Sequence, residues 1–217
     1  MLHIIEGANY VGKTTTLDIL KKKKSFIHFY HPRFNDAQHF SFSYGTAVSV
    51  PQHPHPVMNT VHMHVPRDVV YQISHMTCLK YLISVKDKSV LLDRCFLSEM
   101  VYNELYDKQI YHEFINVLKT NFDYKIFLLT VNDDEALRKR IVERLKKDHG
   151  KGFGIRNDKG FVPEPETVEE KMKAQRAIEN KYNKFIYEFG LESSYIDTSD
   201  LSKKEVARRI IIEGVTA

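Results

Sequence analysis

Eight residues near the amino terminus, Gly7 to Thr14, have the types and spacing of a phosphate-binding loop. They fit the pattern G-x-x-x-x-G-K-[ST] without a mismatch. The glycines let backbone amides point at phosphate oxygens, and the start of a following helix adds a positive dipole. We therefore expect Lys13 to bind the terminal phosphates of a nucleoside triphosphate and the Thr14 hydroxyl to join a Mg²⁺ shell. The residues expected to line the phosphates are Gly7, Ala8, Asn9, Tyr10, Val11, Gly12, Lys13, Thr14 and Thr15.

A second chemical group, Asp93-Arg94, follows the short apolar run Ser89 to Leu92. This run is typical of a buried strand, and open parallel sheets bind ligands at the carboxyl ends of their strands. The carboxylate suits a metal or a proton, and the guanidinium suits phosphoryl oxygens. The alternative interpretation is an ordinary ion pair at the end of a strand.

A third group is the basic, glycine-rich stretch between Arg138 and Lys159, which contains nine of the 32 lysines and arginines of the chain. Its composition predicts a mobile cationic lid over about residues 146–165, which would neutralise phosphoryl charge and exclude water. The loop Asn9-Tyr10-Val11 contains no arginine. We expect the transition-state cations to be Arg140 and Arg144, with Arg156 third; the alternative is a solvated set of surface charges.

Two of these motifs resemble thymidylate kinases. The run from Ile5 through Thr15 is similar to the opening of that family, and residues 93–102 fit its D-R-x-x-x-S-x-x-x-Y arrangement. The resemblance implies that Arg94 engages the substrate phosphate and that Tyr102 lies near the nucleotide. Residues 140–146 instead resemble the lid helix R-I-x-x-R-x-[RK] of deoxyribonucleoside kinases. Both families share one fold and one triphosphate site, so the two resemblances differ over the acceptor.

The chain departs from the thymidylate kinase pattern at three positions. Asn9 replaces the usual acidic residue that addresses the sugar, which implies an altered sugar contact. The usual Arg-Glu-Pro is absent after the second strand, where Arg33 is the residue available for the acceptor phosphate. Gln72 falls where that family has a base-side arginine and deoxyribonucleoside kinases have a base-reading glutamine. The expected substrate-binding residues are Asn9, Arg33, Gln72, Arg94, Tyr102 and Arg156, and the expected catalytic residues are Lys13, Asp93, Arg94, Arg140 and Arg144, with Thr14 and Asp93 as metal ligands.

Alternating apolar strands and amphipathic helices must position these groups. Strands are predicted at residues 2–5, 25–30, 89–92, 124–131 and 194–196. Helices are predicted at residues 13–24, 67–85, 98–106, 111–119, 133–147, 167–189 and 202–212. This alternation predicts an α/β fold in which a mainly parallel sheet is covered by helices on both faces. With the resemblance, it implies a three-layer P-loop kinase fold with about five strands and a lid.

Length and composition favour one domain. The chain has 217 residues, of which 42% are hydrophobic and 28% charged, enough for one sizeable core. Within a single domain of residues 1–217, the proline-rich segment at about 31–66 is interpreted as a substrate-covering insertion. It contains two histidine pairs, His53 with His55 and His62 with His64, which suit a surface loop better than a metal site because no carboxylate or thiol is nearby.

The same composition excludes several classes of protein. No window approaches the roughly 18 apolar residues of a membrane span, and no signal peptide is recognisable, so we expect a cytoplasmic protein. Two cysteines cannot form a disulfide scaffold. A net charge of +4 is too small for a protein that coats nucleic acid. A homodimer is left open, because thymidylate kinases commonly dimerise.

The resulting hypothesis is a kinase that uses ATP and Mg²⁺ to convert a deoxynucleoside monophosphate to the diphosphate. A monophosphate is already a competent nucleophile, so no strong general base is required. The main alternative is a deoxyribonucleoside kinase that phosphorylates the 5′-hydroxyl, with Asp93 accepting the proton. Lesser alternatives are a kinase acting on nucleotides in DNA and a non-catalytic nucleotide switch; the guanine-reading sequence N-K-x-D is absent from the chain.

Overall fold

A computed structural model describes most of the sheet and its helices. The described residues are 1–22, 26–30, 78, 80–102, 108–150 and 168–215. Three predicted site residues, Arg33, Gln72 and Arg156, lie outside these ranges. So do the insertion at 31–66 with its histidine pairs and residues 151–165 of the lid.

Five strands alternate with helices, as the sequence predicts. The strands are β1 (Leu2–Gly7), β2 (Ile27–Tyr30), β3 (Val90–Asp93), β4 (Tyr124–Thr130) and β5 (Ser193–Asp197). The helices that lie fully within the described residues are α1 (Lys13–Leu20), α2 (Phe96–Tyr102), α3 (Lys108–Asn121), α4 (Asp134–Gly150), α5 (Val168–Glu188) and α6 (Lys203–Val215). Residues 80–84 are also helical, within the helix predicted at 67–85. Most strand and helix limits agree with the predictions to within three residues.

The strands form one five-stranded sheet in the order β2-β3-β1-β4-β5. β3 pairs in parallel with both β1 and β2, in a register that aligns Ile5 and Tyr30 with Asp93. This confirms the predicted α/β class and strand number. The order also places β1, which leads into the phosphate loop, at the centre of the sheet.

The chain divides into two compact units. The first comprises Met1–Ile5 with Lys23–Ile126, and the second comprises Glu6–Lys22 with Phe127–Ala217. The expectation of one domain for the whole chain stays a prediction.

Aliphatic strands and an aromatic cluster form the core of the first unit. β1 and β3 are buried along their whole length, as expected for central parallel strands that are covered on both faces. At the start of α2, the Phe96 ring lies 5.2 Å from the Phe114 ring and 6.4 Å from the Tyr111 ring, both on α3. These contacts hold α2, and with it the Asp93-Arg94 turn that precedes it, against α3.

In the second unit, α1 packs on α6 and α4 packs on α5. Arg176 of α5 fastens the carboxyl end of β4. It donates to the carbonyl oxygens of Val131 (2.6 Å) and Asn132 (3.2 Å), and it pairs with Asp134 and Glu179. The carbonyls of Val131 and Asn132 lie just after β4, and the hydrogen bonds from Arg176 hold α5 close to the end of that strand. None of the helices described is both long and apolar enough to cross a membrane.

A buried histidine on β1 predicts a pH-dependent stability. His3 is almost fully buried and meets the Phe26 ring edge to face at 5.1 Å. Burial, and secondly the charge of the amino terminus, lowers the pKa of His3 from 6.5, despite opposing contributions from Val90, Asp123 and Met1. The neutral form therefore favours the folded state, and its contribution is complete above about pH 6.5 and is lost as pH falls toward the lowered value.

We therefore expect the free energy of unfolding to fall between pH 8 and pH 5, and to fall less in His3→Phe, which keeps a flat ring but cannot be protonated. Urea denaturation of both proteins at the two pH values measures the difference. An equal loss of stability in both proteins would contradict a role for His3.

Candidate active site

The phosphate loop, residues Gly7–Thr14, connects the end of β1 to the start of α1. Its two glycines both have positive φ, +142° at Gly7 and +86° at Gly12. A Cβ on Gly7 would lie 2.6 Å from the carbonyl oxygen of Leu129 on β4, a distance that side chains do not tolerate. Glycine at position 7 is therefore required both by its backbone angle and by the close approach of β4.

Lys13 opens α1 and folds back over the loop. Its side chain is buried, and Nζ donates to the Gly7 carbonyl oxygen at 3.1 Å. A cation is thus held within the loop, in the position that the sequence predicts for a phosphate-binding lysine. Thr14 and Thr15 are exposed on the first turn of α1. Ala8 and Val11 are buried and Asn9 is exposed.

A buried carboxylate lies directly before the loop. Glu6 is fully buried, and the hydroxyl of Tyr182 on α5 donates to its carboxylate oxygen at 3.1 Å. Because Tyr182 is itself fully buried, this contact anchors the last residues of β1 to α5. Neither residue is among those predicted from the sequence.

Arg140 on α4 reaches the phosphate loop from another side. Its guanidinium donates to the carbonyl oxygen of Tyr10 at 3.3 Å and to the hydroxyl of Thr198 at 2.8 Å, just after β5. It also donates to the carbonyl oxygens of Thr198 and Ser199. Partial burial lowers the pKa of Arg140, and the nearby carboxylate of Asp197 opposes that shift.

The sequence predicts Arg140 and Arg144 as lid cations. The structure places both on α4, a helix that continues to Gly150 rather than ending near Lys147. The first five residues of the predicted lid, 146–150, are therefore helical. Arg144 is exposed one turn beyond Arg140. A role for either arginine at the transition state stays a prediction.

In the first unit, Asp93 and Arg94 lie at the carboxyl end of β3. Asp93 is buried, and the Arg94 amide donates to the Ile5 carbonyl oxygen at 3.0 Å. Arg94 has φ +69°, a left-handed conformation that is costly for a residue with a side chain. Such conformations persist where surrounding contacts impose them, and they are frequent at functional sites.

The Arg94 side chain lies over one face of α2. Its guanidinium donates to Ser98 Oγ at 2.9 Å and lies 5.4 Å from the centre of the Tyr102 ring. Ser98 and Tyr102 are four residues apart on α2 and share one face. Arg94 precedes the helix, and its side chain reaches that face. The structure thus joins the three residues of the D-R-x-x-x-S-x-x-x-Y motif that the sequence analysis matched.

Thr198 is the main residue at this site that the sequence analysis missed. It is buried, and its hydroxyl lies 2.8 Å from the Thr130 carbonyl oxygen and 3.1 Å from the Val11 carbonyl oxygen. A signal was present, because the polar run Asp197-Thr198-Ser199-Asp200 follows the last strand at its carboxyl end, where such sheets bind ligands.

The oxygen ligands needed for Mg²⁺ are present on separate residues. Within the described ranges, no group of three or more histidine, cysteine or acidic side chains could hold a metal ion. Mg²⁺ bound with a nucleotide needs only one or two protein oxygens, because phosphates and water complete its shell. The Thr14 hydroxyl and the Asp93 carboxylate have the required chemistry.

Comparisons with solved structures identify the fold. No family model and no curated protein matches the chain. Among solved structures, the YorR protein of Bacillus subtilis in complex with phosphorylated GDP is similar at TM-score 0.59 and 16% identity, over 98% of this chain and 95% of that chain. Deoxyadenosine kinase from M. mycoides with bound dATP is similar at TM-score 0.50 and 17% identity, over the full length of both chains. With the strand order and the phosphate loop, these similarities show that the chain has the fold of the P-loop nucleotide and nucleoside kinases.

Proposed function

We propose that this protein is a kinase that transfers the γ-phosphoryl group of ATP to a deoxynucleoside monophosphate and forms the diphosphate. The observation that carries the proposal is the geometry of the phosphate loop, in which positive-φ glycines and the start of α1 surround the buried Lys13. Lys13 can exchange its contact with the Gly7 carbonyl for the terminal phosphates of a bound polyphosphate, whose negative charge it would neutralise.

Lys13 and the loop amides would hold the donor. Thr14 and Asp93 are the residues proposed to hold Mg²⁺, which supplies charge neutralisation on the phosphates when it is bound. Phosphoryl transfer of this kind requires positioning and electrostatic stabilisation more than covalent chemistry. The chain would contribute cations through Lys13, Arg94 and Arg144.

Arg94 is the residue proposed to bind the phosphate of the acceptor. Arg94 is half-buried, and its guanidinium donates to Ser98 and lies over the Tyr102 ring, so these contacts restrict its direction. An oriented guanidinium binds a phosphate through two parallel hydrogen bonds, which a flexible lysine does not provide. A phosphate on the acceptor also removes the need for a general base. Arg33 and Arg156 remain proposed as further phosphate contacts, and Asn9 and Gln72 as sugar and base contacts.

A nucleoside acceptor is the second candidate. One of the similar structures is a deoxyadenosine kinase, and α4 carries the R-I-x-x-R-x-[RK] sequence typical of deoxyribonucleoside kinases. In that case the Asp93 carboxylate would accept the proton of the 5′-hydroxyl. Its buried position at the end of β3 suits a base that must be held still.

One assay separates the two candidates. The purified protein is incubated with ATP and Mg²⁺ and with each deoxynucleoside and each deoxynucleoside monophosphate, and ADP and the phosphorylated product are quantified. Diphosphate formation from at least one monophosphate is expected. Turnover of nucleosides alone would overturn the monophosphate proposal, and no turnover of any acceptor would overturn the kinase proposal.

Arg94→Lys provides a sharper prediction. The variant keeps the positive charge but loses the paired N–H donors of the guanidinium. We therefore expect the KM for the monophosphate to rise about 10- to 100-fold while the KM for ATP changes little. Arg208→Lys, at an exposed position on α6, is the matched control. Steady-state kinetics with each substrate varied separately provides the measurement. An equal rise of both KM values would contradict an acceptor role for Arg94.

A further inference from the structure

Two carbonyl groups in the middle of the phosphate loop are held from outside the loop. The Tyr10 carbonyl accepts from Arg140 at 3.3 Å, and the Val11 carbonyl lies 3.1 Å from the Thr198 hydroxyl. Arg140 also donates to that hydroxyl at 2.8 Å, so the two residues form one connected group. Arg140 and Thr198 are 58 residues apart in sequence, and each is more than 120 residues from the loop.

The direction of a carbonyl fixes the direction of the next amide. In a trans peptide the C=O and the following N–H point in opposite directions from one rigid plane, and no cis peptide occurs in the residues described. Holding the Tyr10 carbonyl toward Arg140 therefore turns the Val11 amide away from Arg140. Holding the Val11 carbonyl toward Thr198 turns the Gly12 amide away from Thr198. Phosphate binding by the loop depends on the direction of these amides.

The loop needs such support because its conformation is costly. Tyr10 has φ +64°, and a non-glycine residue in this region loses about 1–2 kcal/mol relative to ordinary backbone. Rotation of the Tyr10–Val11 or Val11–Gly12 peptide plane would turn the following amide away from a bound phosphate. Contacts to both carbonyls oppose this rotation.

Thr198 is itself held firmly. It is 3% exposed, its amide donates to the Thr130 carbonyl at 2.9 Å, and its hydroxyl oxygen lies 2.8 Å from the Thr130 carbonyl oxygen and 3.1 Å from the Val11 carbonyl oxygen. The hydroxyl oxygen accepts from Arg140 at the same time. The group therefore joins the ends of β4 and β5 to the loop through α4, and it forms a rigid support.

We propose that Arg140 and Thr198 are positioning residues that orient the Val11 and Gly12 amides of the phosphate loop toward the phosphates of a bound nucleotide. The inference rests on the proposed function for the identity of the ligand, a polyphosphate. It extends that function because neither residue has to touch the ligand in order to act.

The test uses Thr198→Val, which keeps the shape of the side chain and removes the hydroxyl, together with Thr198→Ser, which retains the hydroxyl. The probe is inorganic tripolyphosphate, which has no base or sugar, and its affinity is measured by calorimetry. We expect tripolyphosphate to bind about 5- to 10-fold more weakly to Thr198→Val, as for the loss of one hydrogen bond, and within about 3-fold of the original affinity to Thr198→Ser.

The NMR signals of the Val11 and Gly12 amides distinguish a change in amide orientation from a general loss of stability. In nitrogen-15 spectra, tripolyphosphate should shift the Val11 and Gly12 amide protons of the original protein downfield, and it should shift Gly12 less in Thr198→Val. Arg140→Lys serves as a second variant if Thr198→Val does not fold, and it should reduce the Val11 shift. A double variant of Arg140 and Thr198 should lose less affinity than the sum of the single losses, because the two residues act together.

The outcomes are separable. Unchanged tripolyphosphate affinity in a folded Thr198→Val with a lowered melting temperature would overturn the positioning role and leave a purely structural one. Full shifts of Val11 and Gly12 in both variants would also overturn it. If the original protein binds tripolyphosphate and responds as expected but phosphorylates no nucleotide or nucleoside, the proposed function fails and the positioning inference stands.

Discussion

Replacing Lys13 with methionine is expected to reduce phosphoryl transfer at least about 1,000-fold. Removing a single preorganised group that stabilises transition-state charge costs about 100- to 1,000-fold in other enzymes, and a cation that contacts transferring phosphates costs more. Methionine fills the buried space along the lysine stem, so the fold should be retained. The measurement is kcat/KM for ATP, together with the melting temperature of the variant.

Lys21→Met is the matched control, because Lys21 is an exposed lysine that lies just beyond the end of the same helix. It should retain the activity of the original protein. If the activity of Lys13→Met stays within about 3-fold of the original, Lys13 does not stabilise the transferred phosphoryl group. That result would contradict the proposed donor site.

Gly7→Ala is expected to destabilise the protein by about 3 kcal/mol or more. The new Cβ would meet the Leu129 carbonyl oxygen at 2.6 Å, and both groups belong to the backbone of central strands, so neither can move cheaply. Overpacking and backbone strain each cost about 1–3 kcal/mol. Urea denaturation measures the loss, and phosphate binding should weaken in parallel because β1 leads directly into the loop.

Gly12→Ala separates the two contributions. Gly12 also has positive φ, +86°, but nothing lies within 4 Å of the position of its Cβ. The free energy of unfolding of Gly12→Ala should therefore fall only by the cost of backbone strain, about 1–2 kcal/mol. Equal destabilisation by the two substitutions would contradict the close contact between Gly7 and β4.

The order of strands and helices could be predicted from local patterns. Short apolar runs such as residues 89–92 and 124–131 are distinctive because central parallel strands are buried on both faces. The ends of two helices differ from the prediction. α1 ends at Leu20, before the lysine run, whereas α4 continues three residues beyond the predicted end at Lys147. Both segments combine good helix-forming residues with basic side chains, and local propensity alone does not decide where such a helix stops.

The sequence alone determined the groups whose chemistry depends on neighbours in the chain. The spacing of Gly7, Gly12 and Lys13 specifies a loop and the first turn of a helix, and the spacing of Ser98 and Tyr102 specifies one face of α2, just after Arg94 in the chain. Tertiary structure decided which distant residues support them. Arg140 and Thr198 reach the loop, and Tyr182 reaches Glu6, only because α4, α5 and the residues after β5 pack around residues 6–14. Those contacts span more than 120 residues, and no local periodicity records them, because they arise from the packing of whole helices and strands against one another.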